Sequence, residues 1–212
     1  MDGWCDVHIH VEDVELAGSH APLLLPTSLE AHSGEVTLVA GDPGYGHVAL
    51  ALAVAGRMVP AAGRVLVDGI EDRARLQRAV ALVDLAGVSE PDGGLPVRSV
   101  LAEELALAGR PARRRDVRSF LAQHEAGELA GERWEHVPAG LRTAWLAELA
   151  GSRPGVEALV LANPDRFGGD PFAWWSVAHG LAARGLAVVV QCTHASARLL
   201  RHPVHHERGA SA

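Results

Sequence analysis

Residues 35–57 read EVTLVAGDPGYGHVALALAVAGR, an apolar run stopped by Gly41, Asp42, Pro43 and Gly44 and followed by a stretch of Ala, Leu and Val. Six residues rich in β-branched and apolar side chains suit a buried strand, and the stretch from His47 to Arg57 suits a buried helix. The unit is therefore strand, glycine loop, helix. Gly41 and Gly46 frame a GxxxxG loop, and the two residues after it, His47 and Val48, stand where a phosphate-binding loop carries Lys and Ser or Thr. Glycines let backbone N–H groups close around phosphate oxygens, and the start of a helix adds partial positive charge. Those two contributions survive here. The lysine that would reach the outer phosphates is replaced by His47, and the hydroxyl that would hold Mg²⁺ is replaced by Val48. Gly41, Asp42, Pro43, Gly44, Tyr45, Gly46, His47, Val48 and Ala49 are the candidate nucleotide-binding residues, with a plain strand-to-helix glycine turn as the alternative.

Outward from this unit, alternation over residues 6–14 predicts a half-exposed edge strand, and RVLVD (64–68) and AVALV (79–83) predict two further strands. From 84 to 152 the texture changes to Ala, Leu, Arg and Glu at helical spacing. Residues 158–161 and 186–190 return to buried strands, separated by a helix over 171–184 that carries Trp174 and Trp175. The order predicts one domain over residues 1–212, an α/β core with a helical subdomain inserted at about 84–152.

Composition narrows the function. The 212 residues are 48% hydrophobic and 21% charged, which supports a real core and argues against disorder. No apolar run approaches the eighteen or so residues of a membrane span, and residues 1–4 lack the order of a secretory signal, so a cytoplasmic location is expected. Net charge is −7, so nucleic acid is not an expected partner. All 19 basic residues are arginine, which closes any mechanism that needs lysine. Cys5 and Cys192 are too far apart in sequence to form a metal knuckle or redox pair. His8 and His10 imitate a metal-binding HxH pair but read as the polar face of a strand, and no metal site is expected. His202, His205 and His206 read as a solvated tail, and Arg113, Arg114 and Arg115 as the polar face of a helix.

The succession of features along 6–196 resembles the ATP-binding subunits of ABC transporters. Ser33, Gly34 and Glu35 stand where that family has its PGE turn, and GRVLVDG (63–69) is similar to its SGxVxxDG segment. LPVRSVL (95–101) looks like the start of the family's helical subdomain, after a Q-loop whose glutamine position is Asp84. VPAGLR (137–142) occupies the place of the LSGGQ signature, with Pro138 at the serine that would touch γ-phosphate across a dimer. ALVLANPD (158–165) looks like the Walker B strand, with Ala162 for the metal-holding aspartate and Asn163 for the water-orienting glutamate. Gly168, Gly169, Asp170 and Pro171 resemble the D-loop, and His194 the switch histidine.

The resemblance implies a P-loop NTPase-like core sheet with the inserted helical subdomain, and degenerate catalytic positions at Asn163 and His194. Phosphoryl transfer needs charge neutralisation from Lys, metal and an orienting carboxylate, and those supports are absent together. A pseudo-ATPase that binds ATP weakly and without Mg²⁺ is the expectation, with His47 made cationic by an adjacent phosphate. Its implied partner is a membrane transport protein, or a second ABC-type ATPase domain in a homo- or heterodimer, with the chain peripheral at the inner face of the membrane. Two alternatives stand beside it. One is a nucleotide-free protein-interaction module on the same fold. The other is an active NTPase whose site is rebuilt from Asp84, Asp165, Asp170 and His194 with Arg142 or Arg166, although Asp165 and Arg166 also fit an exposed turn and Asp170 a helix N-cap.

Overall fold

The computed structural model describes residues 6–42, 44–200 and 205–206, which places Cys5, Pro43 and His202 of the sequence reading outside the described residues. Two sheets enclose a buried helix. The first is antiparallel, ordered β2 (Leu24–His32), β1 (His8–Leu16), β4 (Ala62–Val67). The second is parallel, ordered β5 (Val80–Val83), β6 (Ala158–Ala162), β7 (Ala187–Thr193), β3 (Val36–Gly41), β8 (His205–His206).

Helix α1 (Tyr45–Val54) lies between the sheets, with Ala49, Leu50, Ala51, Ala53 and Val54 buried in a core shared with Ile9, Val11 and Leu29 on one side and Val39, Val160 and Val189 on the other. Its sequence is apolar all round because both flanks are covered. Strands β6 and β7 are buried along nearly their whole length, and their continuous apolar runs follow from parallel sheets being covered on both faces. The second core lies on the far side of the parallel sheet. There α3 (Val97–Leu107), α4 (Arg114–Gln123), α5 (Ala139–Gly151) and α6 (Pro171–Ala182) pack Leu101, Phe120, Trp145 and Trp174, together with Trp134 from the short turn between α4 and α5, against Leu38, Leu159 and Val188. Helices α3 to α5 all fall between β5 and β6 in the chain.

The strand expected at residues 6–14 is not an edge strand. β1 is the middle of its sheet, paired with β2 through His8↔His32 and His10↔Glu30 and with β4 through Ile9↔Val67. Alternation reports one wet face, not the number of neighbours. The partner β2 alternates only from Thr27 to His32, after Pro26, which an edge strand tolerates. The sequence reading also omits α2 (Arg73–Ala79), α7 (His194–Leu200) and β8, whose backbone at His205 and His206 pairs with β3 in place of the expected tail.

Trp174 is buried and Trp175 half-buried, with their rings edge to face at 6.3 Å. Asp170 caps α6 by accepting from the Phe172 N–H at 3.0 Å, just before Pro171. Asp116 accepts from the Arg113 N–H at 2.9 Å and closes the start of α4, which carries Arg114 and Arg115. Among the described residues no helix is long and apolar enough to cross a membrane.

Candidate functional site

Parallel strands collect whatever follows them at one edge of the sheet, and here four candidate positions follow adjacent strands. Gly41 ends β3, Asp84 follows β5, Asn163 follows β6 and His194 follows β7. The order β5, β6, β7, β3 therefore brings them into one row.

The loop after β3 leaves Asp42, Gly44 and Tyr45 exposed and turns into α1 at Gly44. Gly44 lies at φ 168, ordinary extended backbone, and no side chain caps the helix there. The first N–H groups of a helix have no partner within it, so an uncapped start offers donors to an anion. Gly46 and Val48 are half-buried and Ala49 is buried.

His47 turns inward. It is 1% exposed, and its Nδ1 is hydrogen-bonded to the Asn163 side-chain Oδ1. Gln191, on the intervening strand β7, donates from Nε2 to the His47 backbone carbonyl at 3.0 Å and accepts from the Asn163 N–H on its own carbonyl at 3.0 Å. Asn163 has φ 46, a left-handed conformation that Asn tolerates better than most residues. Burial pushes the His47 imidazole down to about 4; nearby Asp165 opposes that shift and His194 reinforces it. Burial outweighs the one neighbouring carboxylate and favours the neutral ring at pH 7.

Asp165 and Arg166 do not form an exposed turn. Asp165 Oδ2 accepts from the Thr193 N–H at 2.9 Å, the Thr193 hydroxyl at 2.8 Å and the Ser196 hydroxyl at 2.7 Å. The carboxylate thus ties the end of β6 to the start of α7, beside His194. Arg166 Nη2 meets Asp84 Oδ1 and Glu90 Oε1, each at 2.9 Å, while Nη1 donates to the backbone carbonyls of Asp84 at 2.5 Å and Ala162 at 3.1 Å. Burial raises the Asp84 pKa, with Arg166 pulling the other way. Arg142 is buried and stacks on Phe167, 4.0 Å from the ring centroid, with Trp134 at 5.6 Å.

The acids and cations of the rebuilt-site alternative are thus engaged separately: Asp84 with Arg166, Asp165 with Thr193 and Ser196, Asp170 at a helix cap, and His194 Nε2 at 3.9 Å from Asp42 Oδ1. Among the described residues these four do not converge as a set of metal ligands. The sequence reading missed Gln191, Thr193 and Ser196 as parts of the site. Their only signal is position, since all three lie in or just after the strand that separates β6 from β3.

No family model matches the sequence. The chain is 30% identical over 195 residues to the hemin import ATP-binding protein HmuV of Pseudomonas aeruginosa, a match that covers 86% of this chain and 75% of that protein. Among solved structures it is similar to a putative ABC transporter ATP-binding protein of Pyrococcus furiosus, with a TM-score of 0.66 at 13% identity, over 88% of this chain and 92% of that one. A nucleotide-free ATP-binding cassette of an ABC transporter gives a TM-score of 0.63 at 15% identity, over 96% of this chain and 90% of that one. The α/β fold with its parallel sheet is that of the ABC-type P-loop NTPases.

Proposed function

From the premise that the chain belongs to the ATP-binding subunits of ABC transporters, we propose that it is a degenerate member which holds nucleotide weakly and does not turn it over. The observation that carries this reading is the His47–Asn163 hydrogen bond. By family resemblance these two positions supply the phosphate-binding cation and the water-orienting carboxylate. Here one is a buried neutral ring, the other is an uncharged amide, and the Nδ1 of the first is bonded to the Oδ1 of the second. The side chains of Ala162 and Val48 carry no oxygen for Mg²⁺. What remains for a nucleotide is the uncapped start of α1 and the backbone of the loop.

In this reading residues 1–212 form one domain, and residues 84–152 are its helical subdomain, the part that meets a membrane transport protein. That part carries a groove of about 630 Å³ between α3 and α4, lined by Arg98, Arg114 and Arg118 with Ala102 and Val117, which suits an acidic segment of the partner. The chain then works as an accessory or regulatory subunit on the inner face of the membrane, alone or opposite a second ABC-type ATPase domain.

The test is thermal unfolding of the full chain with ATP, ADP or AMP, each with and without Mg²⁺. A ligand at about 100 times its Kd adds roughly 2.7 kcal/mol. For a chain of this size that raises Tm by roughly 5–10 °C. A rise with ATP that ignores Mg²⁺ is expected. A rise that requires Mg²⁺ overturns the reading in favour of an active enzyme, and no rise with any nucleotide overturns it in favour of a pure interaction module.

A further inference from the structure

The outer face of the antiparallel sheet carries a second cluster that the nucleotide reading leaves unused. His8 and His10 alternate along β1 onto the face turned away from the buried Ile9 and Val11, and β2 sets His32 opposite His8 and Glu30 opposite His10. Directly opposed residues in an antiparallel pair hold their Cβ atoms about 5 Å apart, so four side chains stand at the corners of a small square.

Their polar atoms converge. Glu30 Oε2 lies 3.3 Å from His32 Nε2 and 3.8 Å from His8 Nε2, and Glu30 Oε1 lies 3.7 Å from His10 Nε2. The His8 and His32 rings stack at 4.2 Å with 11° between their planes. Ligand atoms of His8, Glu30 and His32 all fall within 4.8 Å of one another. His8 Nε2 is sealed from solvent and makes no hydrogen bond among the described residues. Sealing an imidazole nitrogen without a partner is costly, and a metal ion placed between it and the carboxylate removes that cost.

We propose that His8, His10, Glu30 and His32 form a binding site for a divalent cation of the zinc class on the outer face of this sheet. Zinc bonds to imidazole nitrogen and carboxylate oxygen are about 2.0–2.1 Å, so the ligand atoms of a tetrahedral site stand about 3.4 Å apart. The distances from the two Glu30 oxygens to the three imidazoles, 3.3–3.8 Å, lie near that edge; His8, Glu30 and His32 already stand within 4.8 Å of one another, and His10, outside that group, must swing its ring inward to complete the site. Three imidazoles and one carboxylate suit Zn²⁺ and its neighbours rather than Mg²⁺ or Ca²⁺, which prefer oxygen.

A supporting partner is also in place. Glu12 Oε1 lies 3.3 Å from His10 Nδ1 and orients that ring to present Nε2, while Glu12 Oε2 is itself held by Arg64 Nε at 2.5 Å. Metal-bound histidines are commonly fixed through the second ring nitrogen by a carboxylate in this way.

The experiment is titration of the tag-free full chain with ZnCl₂, followed by calorimetry, with Co²⁺ as a spectroscopic probe. One Zn²⁺ per chain with a Kd of about 1 µM or tighter is expected, together with the intense visible bands of tetrahedral Co²⁺. His8→Ala and Glu30→Gln should each weaken binding at least about tenfold, and Glu12→Gln by a comparable factor through His10. These positions lie on an exposed face, and far-UV circular dichroism of each variant checks its fold. Replacing His202, His205 and His206 together by alanine should leave the Kd and the cobalt spectrum unchanged. Absence of binding by the native chain overturns the proposal, as does binding that survives His8→Ala or is lost with the three tail histidines.

Discussion

His47 and Asn163 meet across the end of β7, the imidazole Nδ1 of one on the side-chain oxygen of the other, with Gln191 of that strand holding the backbone of both. The contact joins the first turn of α1 to the turn after β6, the two places where a phosphate-binding ATPase concentrates opposite charges. Both groups are uncharged, which suits stability, because uncompensated charges at this partly buried point would be costly.

The same pair makes stability depend on pH in a stated direction. His47 has a pKa of about 4 in the folded chain against 6.5 for an ordinary histidine. Between those values the unfolded chain binds more protons, so stability rises with pH across this window, is fully present above 6.5 and is lost as pH falls towards 4. A shift of this size corresponds to roughly 3 kcal/mol. Urea unfolding of native chain and His47→Gln, which cannot titrate, should therefore show a difference that shrinks by a few kcal/mol from pH 7 to pH 4. Parallel pH profiles would contradict the buried neutral ring.

Asp165 separates a structural carboxylate from a catalytic one. It accepts from two hydroxyls and one backbone N–H at the β7–α7 junction. Removing it by Asp165→Ala strands those donors and should cost about 2–4 kcal/mol, at roughly 1 kcal/mol or more for each bond to a charged group. Tm should fall by roughly 5–15 °C. Any background ATP hydrolysis by the purified chain should stay unchanged at a temperature where both proteins are folded; a fall would make Asp165 part of a working site.

The legible parts of the molecule are those written in local pattern. The strand, glycine loop and helix at 35–57 declare themselves through an abrupt change from apolar run to glycines, and the row of positions after β5, β6 and β7 follows once the strands are placed. What sits opposite what is not local. The bond between His47 and Asn163 spans 116 positions, and nothing in either segment signals that the histidine turns inward. The histidine square on the outer sheet depends on β2, which Pro26 disguises, so His8 and His10 look like a polar strand face until His32 and Glu30 are set beside them.

Gly63 is required for a reason visible only in three dimensions. It sits in β4 at φ 75, facing the irregular stretch of β1 between Glu12 and Glu15, where Asp13 itself has φ 44. A Cβ at Gly63 would lie 2.3 Å from the carbonyl oxygens of both Glu12 and Asp13. Backbone cannot yield as a side-chain tip can, and a left-handed alanine adds strain, so Gly63→Ala should cost about 3 kcal/mol or more. Gly69→Ala, at φ 77 but with nothing within 4 Å of its Cβ, carries the strain alone and should cost about 1 kcal/mol. Equal midpoints in urea for the two variants would show that the β1–β4 contact gives way.

The loop can be asked whether its frame is still that of a phosphate site. His47→Lys with Val48→Ser restores the cation and the hydroxyl on a helix start that no side chain caps. A charge-assisted contact contributes about 1.5–3 kcal/mol, so Mg-ATP affinity measured by calorimetry should rise about tenfold or more. Turnover should not follow, because Asn163 still offers an amide where a carboxylate must orient water. Adding Ala162→Asp and Asn163→Glu should bring hydrolysis at least about a hundredfold above the double variant, the scale of one or two missing electrostatic supports. Gly44→Asp should cancel the gain in binding while leaving the fold intact, since Gly44 has extended backbone and a Cβ there meets only the Asp42 carbonyl oxygen at 4.0 Å. If the double variant binds no better than the native chain, residues 41–48 are a turn between strand and helix and the nucleotide reading fails with them.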